Sequence, residues 1–569
     1  MKLRFDKWLA TGTPWIWLNA GAVAISIIMV IGLLLLLTVR GMHHFWPKDV
    51  MQAYYSPPVN SAERLTTQVI GEFVESESVI SQQIASSGIP VDEAQEFYER
   101  QLMKLGNRDL TGDDFSWVLT DFIAEIEYPE HLVVLERREW GNFYGFLQAV
   151  RENDDTVISV DYRDQSDTEA QNQAWQEFTA RLERAQVLHA EIYRIESQEI
   201  GEINYGVERL RLQLRRLQLD GRDTDAATAE INAQQAALEA EYAALQENLL
   251  NLYDQINRDT AIFMAANERE AEIEFADIVR AYRPNGMNLW AKAAGYLAKL
   301  GEFLTDEPRE ANTEGGIFPA IFGTVMMVLL MSVFVTPFGV VAAVYLREYA
   351  RQGFLTRVIR IAVNNLAGVP SVVYGVFGLG FFIYIIGGEI DQLFYPEALP
   401  APTFGTPGLL WASITLALLT VPVVIVATEE GLARIPRSVR EGSLALGATQ
   451  FETLWRVVLP MASPAMMTGL IRAVARAAGE VAPLMLVGVV KLAPALPLDG
   501  NYPYLHLEQK FMHLGFHIYD VGFQSPNIEA ARPLVFATAL LLVIIIALLN
   551  FSAVALRNHL REKYKSLDV

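Results

Sequence analysis

The sequence contains no cysteine, which excludes disulfides, thiol catalysis and cysteine-based zinc sites. Histidine is scarce, with 8 residues in 569. His131 and His189 have no ligand-like spacing, and the adjacent His43 and His44 read as a solvated pair just outside an apolar run, so no metal site is expected. No Gly-x-x-x-x-Gly-Lys-Ser/Thr loop occurs, so the chain is not expected to hydrolyse ATP. A basic surplus is also missing: 67 acidic residues against 45 basic ones give a net charge of -22. With a pI near 4.9, the chain lacks the basic surface that nucleic-acid phosphates require.

What is present is apolar. At 51% hydrophobic residues and a mean hydropathy of +0.20, the chain exceeds the roughly 45–50% of ordinary soluble domains and is not disordered. Its length corresponds to about three or four domains. Apolar and acidic residues separate along it. Residues 41–316 hold 51 acidic and 24 basic residues, a net of -27, and the remainder holds 16 and 21, a net of +5.

The remainder reads as membrane. Residues 16–38 carry no charge, and a helix of that length at ~1.5 Å per residue crosses a hydrocarbon core about 30 Å thick. The run exceeds a signal-peptide core and lacks a clear cleavage site after it, so a retained anchor is expected. Five more apolar stretches lie near 318–346, 361–387, 408–427, 464–490 and 533–556. Lysine and arginine gather at Lys2, Arg4 and Lys7, in 347–360, in 428–463 and in the tail. The 389–407 link has none and 491–531 has only Lys491 and Lys510. By the positive-inside rule both termini are cytoplasmic and 41–316 is external.

Within 41–316, Ile200, Ile203, Val207, Leu210, Leu214 and Leu217 repeat at spacings of three and four, and the series resumes from Ile231 to Ile256. An Asp220-Gly221 turn separates the two halves, which predicts an antiparallel coiled-coil hairpin over about 172–260. The β-branched and aromatic runs at 131–136, 142–147 and 156–160 predict a small sheet over about 115–165. No nucleophile or phosphate loop is evident, so this part reads as a spacer or docking domain. Its acidity would repel an anion at a pore mouth, so the hairpin is expected to project away from it or to meet a basic partner.

Two segments carry chemistry. In 441–460, small residues at 442, 443, 445, 447 and 448 leave a smooth helix face, and Gly447 ends the helix, an arrangement suited to docking in a partner's groove. In 464–490, Arg472, Arg476 and Glu480 are each four apart, hence on one face of a helix. Ionisable groups in a bilayer mark a substrate path or an ion pair. A structural Arg476–Glu480 pair and a site for a tetrahedral oxyanion are both open, and Arg472 could snorkel to the interface.

The first segment, Glu441-Gly442-Ser443 with Gly447 six residues after Glu441 and Val457-Val458-Leu459-Pro460 at its end, resembles the coupling-loop signature of ATP-binding-cassette (ABC) importer permeases. Gly442 and Ser443 replace two alanines of that signature. Arg476-Ala477-Ala478-Gly479-Glu480-Val481-Ala482-Pro483-Leu484 resembles the Arg-Ala-x-Gly-Glu-Thr-Ala-Pro-Leu stretch of PstA-type permeases of the phosphate-specific transport system, with Val481 replacing threonine. Leu366 to Gly378, which includes Gly368, Pro370, Ser371, Tyr374 and Gly375, matches a second signature of that family. Gly315-Gly316-Ile317, Pro337-Phe338-Gly339 and Tyr345-Leu346-Arg347-Glu348-Tyr349 resemble the start of its permease core. The resemblance spans about 310–569.

It implies an all-α polytopic membrane protein of the bacterial inner membrane, with six transmembrane helices in the ABC importer type I permease fold. The divisions are a cytoplasmic N-terminus and first helix (1–40), a large α+β periplasmic insertion (41–316) and a five-helix core (317–569) with a coupling loop at 429–463. It also implies a PstC-type permease, an ATPase dimer and a periplasmic phosphate-binding protein as partners. ATP and Mg would sit on the ATPase, with no cofactor on this chain. Arg476, Glu480 and Arg472 would line the substrate path, and Glu441, Gly442, Ser443, Gly447, Leu459 and Pro460 would couple to the ATPase. A permease for molybdate or sulfate, and a transporter-linked phosphate sensor, are the alternative readings.

Overall fold

The computed structural model describes residues 11–57, 66–86, 89–91, 95–163, 167–309, 312–525 and 528–564. Lys2, Arg4, Lys7 and Lys565 lie outside the described residues. Among the described residues, six helices are long and apolar enough to cross a membrane. They include α1 (Thr13–His43), whose side chains are exposed almost throughout. An exposed face of Ile, Leu and Val suits a helix surrounded by acyl chains.

The insertion begins with two antiparallel sheets. The first has the order β4-β3-β2-β1-β5, from β1 (Val50–Tyr55), β2 (Thr67–Ile80), β3 (Phe97–Lys104), β4 (Phe115–Leu119) and β5 (Ile123–Glu127). The second has the order β10-β9-β7-β6-β11, with β8 on β7. It uses β6 (Val133–Arg137), β7 (Asn142–Glu152), β8 (Asp155–Ser159), β9 (Asp259–Met264), β10 (Glu270–Glu274) and β11 (Ile278–Tyr282). The single small sheet expected over 115–165 is therefore corrected to two sheets that draw on strands from Val50 to Tyr282. β2 alternates with glutamates and escapes an apolar-run search, and β9 to β11 follow the helical segment in sequence.

β6 is buried along its whole length, charged residues included. Arg137 donates two bonds to Asp109, each 2.9 Å, and Glu136 lies 2.5 Å from Lys299. Burial would raise the Glu136 carboxyl, but Lys299 and Arg280 pull it down to about 2. Paired charges of this kind are tolerated in a protein interior because each has a partner.

Between β8 and β9 the chain runs out and back. α2 (Thr168–Arg194) continues through a π-type stretch at Ile195–Glu199 into α3 (Ile200–Leu219). Asp220-Gly221 reverses it, with Gly221 at φ +63, and α4 (Asp225–Ile256) returns. Thr224 caps α4 by accepting the Ala227 N–H at 3.4 Å. Leu249, Leu252 and Ile256 are buried against the second sheet, and Ile203, Leu210 and Ile231 are buried farther along the hairpin. The hairpin does not project away from the core. The Tyr205 hydroxyl donates to the Tyr502 carbonyl, its ring lies 6.0 Å from that of His506, and Arg216 reaches Glu397 at 3.7 Å. These contacts are made by individual aromatic and basic residues of α3, which the net charge of the insertion does not describe.

α5 (Leu289–Thr305) leads into the core. The core comprises α6 (Phe318–Val344), α7 (Phe354–Leu366), α8 (Ser371–Phe394), α9 (Leu409–Arg434), α10 (Arg437–Ala445), α11 (Gln450–Ala477), α12 (Leu514–Phe523) and α13 (Ile528–Tyr564). α9 is the most enclosed of the six spans. A Cβ at Gly431 would come within 2.5 Å of the Ala465 Cβ, and one at Gly469 within 2.6 Å of the Ala427 Cβ. Small residues thus let α9 and α11 approach closely, the usual device where no hydrophobic force separates helix from lipid. Two spans differ from expectation. The third begins at Ser371, not near 361, because Pro370 separates it from the amphipathic α7. The fifth ends at Ala477, not near 490: Pro483 cannot continue the backbone ladder and Gly488 turns at φ +152.

Candidate functional site

The coupling segment is a short helix between two stops. Pro436 precedes α10. At its other end Gly447 adopts φ +88. There the Ala448 N–H donates to the Ser443 carbonyl at 3.3 Å and the Gly447 N–H to Leu444 at 3.0 Å, the paired bonds of a Schellman ending that favours glycine. Thr449 and Glu452 then form a capping box that starts α11. Glu441, Gly442 and Gly447 are exposed, Leu459 and Pro460 are half-buried, and the Ser443 hydroxyl lies 2.9 Å from that of Thr453. Leu446 is 91% exposed. Phe451 and Trp455 are also exposed and stack at 6.3 Å. An apolar row at a helical turn is the shape that helix-in-groove docking requires.

Arg440 anchors this segment. Its guanidinium donates to the carbonyls of Ile435 (2.7 Å) and Leu432 (2.9 Å) and to Glu348 Oε1 (2.8 Å). Glu348 belongs to the π-type last turn of the first core span, Tyr345–Tyr349. A parallel tie joins Arg360 of α7 to Glu429 of α9 at 2.6 Å. Neither pair leaves a mark in the sequence, since the partners are 92 and 69 residues apart.

Arg472 and Arg476 lie one turn apart on α11, Arg472 exposed and Arg476 half-buried. Glu480 does not share their helix. The helix ends at Ala477, and the Glu480 N–H donates to the Ala477 carbonyl at 3.2 Å. Its carboxylate turns back to lie 3.6 Å from Arg476 Nε, an ion contact longer than a hydrogen bond. Arg476 thus lies at the end of its helix, with Glu480 as its ion partner.

The two signatures of the core meet at this turn. The Tyr374 hydroxyl donates to the Leu366 carbonyl at 2.6 Å, which closes the break at Gly368 and Pro370 and fixes where α8 starts at Ser371. A Cβ at Gly375 would lie 2.7 Å from Pro483 Cα and 2.9 Å from its carbonyl oxygen. One at Gly378 would lie 2.4 Å from Thr415 Oγ1 and 2.9 Å from Val487. α8 therefore packs directly on the segment that follows Glu480. A cavity of about 230 Å³ lies elsewhere, lined by Arg40, Lys48, Glu72, Lys299, Glu302 and Arg532 among others, and Arg472, Arg476 and Glu480 are not part of it.

Residues 335–566 match the family of binding-protein-dependent transport system inner membrane components. The chain is 32% identical over 203 residues to the probable ABC transporter permease protein YqgH of Bacillus subtilis, which covers 35% of this chain and 62% of that relative. It therefore spans less than two thirds of YqgH. It is 34% identical over 245 residues to the phosphate transport system permease protein PstA 1 of Mycobacterium tuberculosis, covering 43% of this chain and 70% of that one. The probable PstA of Methanocaldococcus jannaschii is 29% identical over 253 residues, with 44% and 79% covered. Among solved structures, an inward-facing form of the MetNI methionine ABC transporter covers 42% of this chain and 94% of its own, with 20% identity and a TM-score of 0.31. The chain belongs to the family of binding-protein-dependent transport system inner membrane components. Within it, the chain is a PstA-type permease, a transport subunit and not an enzyme.

Proposed function

We propose that this chain is the transmembrane permease subunit of an ATP-driven inorganic phosphate importer. The observation that carries the reading is the joining of the two PstA-type signatures, which seats the Arg476–Glu480 turn against Gly375 of α8 through Pro483. Arg476 presents a permanent positive charge and forked donors to an oxyanion. Glu480 competes for the same guanidinium, which keeps the anion's hold weak enough for release. Arg472 adds a second positive charge one turn away.

ATP and Mg belong to an ATPase dimer, which docks on Leu446 and the 441–460 segment. Its closure pushes α10, and the Arg440–Glu348 bond passes the motion to α6. A PstC-type permease completes the path, and a periplasmic phosphate-binding protein delivers the substrate. In this reading both termini are cytoplasmic. Residues 41–316 form a periplasmic unit whose hairpin, with its 3.5-residue apolar period, is a coiled coil.

The assembly co-purified with its partners and reconstituted in vesicles tests this. The expected result is saturable, ATP-dependent uptake of phosphate that molybdate and sulfate do not match. Uptake of either of those in place of phosphate would contradict the assignment. Phosphate-dependent signalling without uptake would identify a sensor instead.

A further inference from the structure

α5 is amphipathic in the reverse sense to a helix on a soluble domain. Its charged side chains face inward. Lys292 pairs with Asp49, and Lys299 lies 2.5 Å from Glu136 and donates to the Tyr282 hydroxyl at 3.1 Å. Glu302 takes Arg280 at 2.8 Å and Arg309 at 2.6 Å. The opposite face carries no charge and is open: Trp290, Ala294, Leu297, Ala298 and Leu304 are all exposed. Trp290 is 84% exposed and Leu297 65%. The spacing of 290, 294, 297 and 304 is that of one continuous helix face.

Two points along this helix are fixed to the ends of membrane spans. Near its middle, Tyr296 sits with its ring 6.4 Å from Phe45 and 6.0 Å from Trp46. A Cβ at Gly295 would touch Pro47 at 3.5 Å. These partners directly follow the end of α1 at His43. Near its C-terminal end, Phe303 packs 5.0 Å from Phe45, and its carbonyl accepts the Ile317 N–H at 2.9 Å. Ile317 immediately precedes α6. A helix pinned at both places to the level where spans leave the bilayer runs along the membrane surface.

We infer that α5 is an interfacial helix whose Trp290, Leu297 and Leu304 face is buried in the phospholipid leaflet on the insertion's side. The charge segregation supports lipid as the occupant. Tryptophan concentrates at the headgroup level, and an apolar helix face typically sinks about 5–10 Å into the boundary with the acyl chains. The membrane spans beside it continue the same apolar surface, since α1 exposes Val39 close to its end. Through Lys299 and Glu302, which hold Glu136 of β6 and Arg280 of β11, the helix then clamps the second sheet to the bilayer, and it walls the cavity that contains Arg40 and Lys48.

The lack of native cysteine makes the test direct. Full-length protein carrying Trp290→Cys or Leu297→Cys is labelled with a fluorophore and placed in phospholipid nanodiscs. Both side chains are exposed, so folding does not depend on them. Glu247→Cys on the exposed face of α4 serves as the aqueous reference, and Val30→Cys within α1 as the membrane reference. Lipids brominated on the upper acyl chain should quench positions 290 and 297 by roughly twofold or more, with iodide having little effect, as expected for shallow burial. Position 247 should show the reverse. Iodide quenching at 290 and 297 equal to that at 247 would overturn the inference. Protection from both quenchers would also overturn it and would indicate a protein partner on this face. Quenching at 30 by brominated lipid shows independently that the spans are in the bilayer.

Discussion

Arg440 on the coupling helix donates to Glu348 on the last turn of the first core span at 2.8 Å, with both side chains less than a fifth exposed. Arg440 directly precedes the 441–460 signature and Glu348 lies in the Tyr345–Tyr349 motif, so the bond joins the proposed coupling segment to the first core span. Removing one partner leaves a charge in a sheltered place, at a cost of roughly 1–3 kcal/mol. Glu348→Gln and Arg440→Ala should therefore uncouple the transporter: the assembly forms and hydrolyses ATP, while uptake per ATP falls by roughly tenfold, about 1.4 kcal/mol. The ratio of uptake to hydrolysis in the same vesicles measures this. An unchanged ratio would remove the bond from the coupling route.

Gly375 is a close-approach position, because a side chain there meets the backbone of Pro483 at 2.7 Å and 2.9 Å. Backbone cannot yield as a flexible side chain does. Gly375→Val should lower the thermal midpoint of the purified protein and displace the arginine turn, at about 1–3 kcal/mol for overpacking. Gly380, on the same span, has no atom within 4 Å of its Cβ position, so Gly380→Ala should leave stability and uptake near their starting values. A thermal-unfolding comparison of the two variants decides the point.

His506 lies in the loop between α11 and α12, against the hairpin. Burial opposes its charged form, but hydrogen bonds to Asp499 at 2.9 Å and Glu508 at 3.1 Å outweigh burial and raise its pKa above the ordinary histidine value. A raised folded-state pKa means that the stabilisation is complete below the unfolded value near 6.5 and disappears as pH rises through the folded one. Amide exchange in 497–508 should accordingly be slow at pH 6 and quicken at alkaline pH beyond the intrinsic rate change. His506→Gln should flatten this dependence. A loop equally protected across the range would contradict it.

The membrane framework was largely legible from sequence. The stretches near 318–346, 408–427 and 533–556 carry no charged residue over a spanning length, and helices occupy them. Legibility failed where an apolar run is not one helix. In 361–387 Pro370 splits the run, and in 464–490 the helix ends at Ala477, so the spacing of Arg476 and Glu480 did not place them on one face even though they remain in contact. It failed again for the sheets of the insertion. Glu72, Glu75 and Glu77 interrupt β2, and β9 pairs with β7 across the whole hairpin. Pairing between distant segments leaves no periodic mark on either one. The contact of Tyr205 with Tyr502 spans 297 residues and depends on tertiary placement alone.

The central claim is that an anion crosses at Arg476. Uptake of radiolabelled phosphate by the reconstituted assembly, compared for the native chain and Arg476→Gln, tests it most directly. Loss of the charged donor should lower uptake by roughly tenfold to a hundredfold, given about 1.5–3 kcal/mol for a hydrogen bond to a charged group, with assembly intact and Arg476→Lys partly active. Undiminished phosphate uptake by Arg476→Gln would contradict the account.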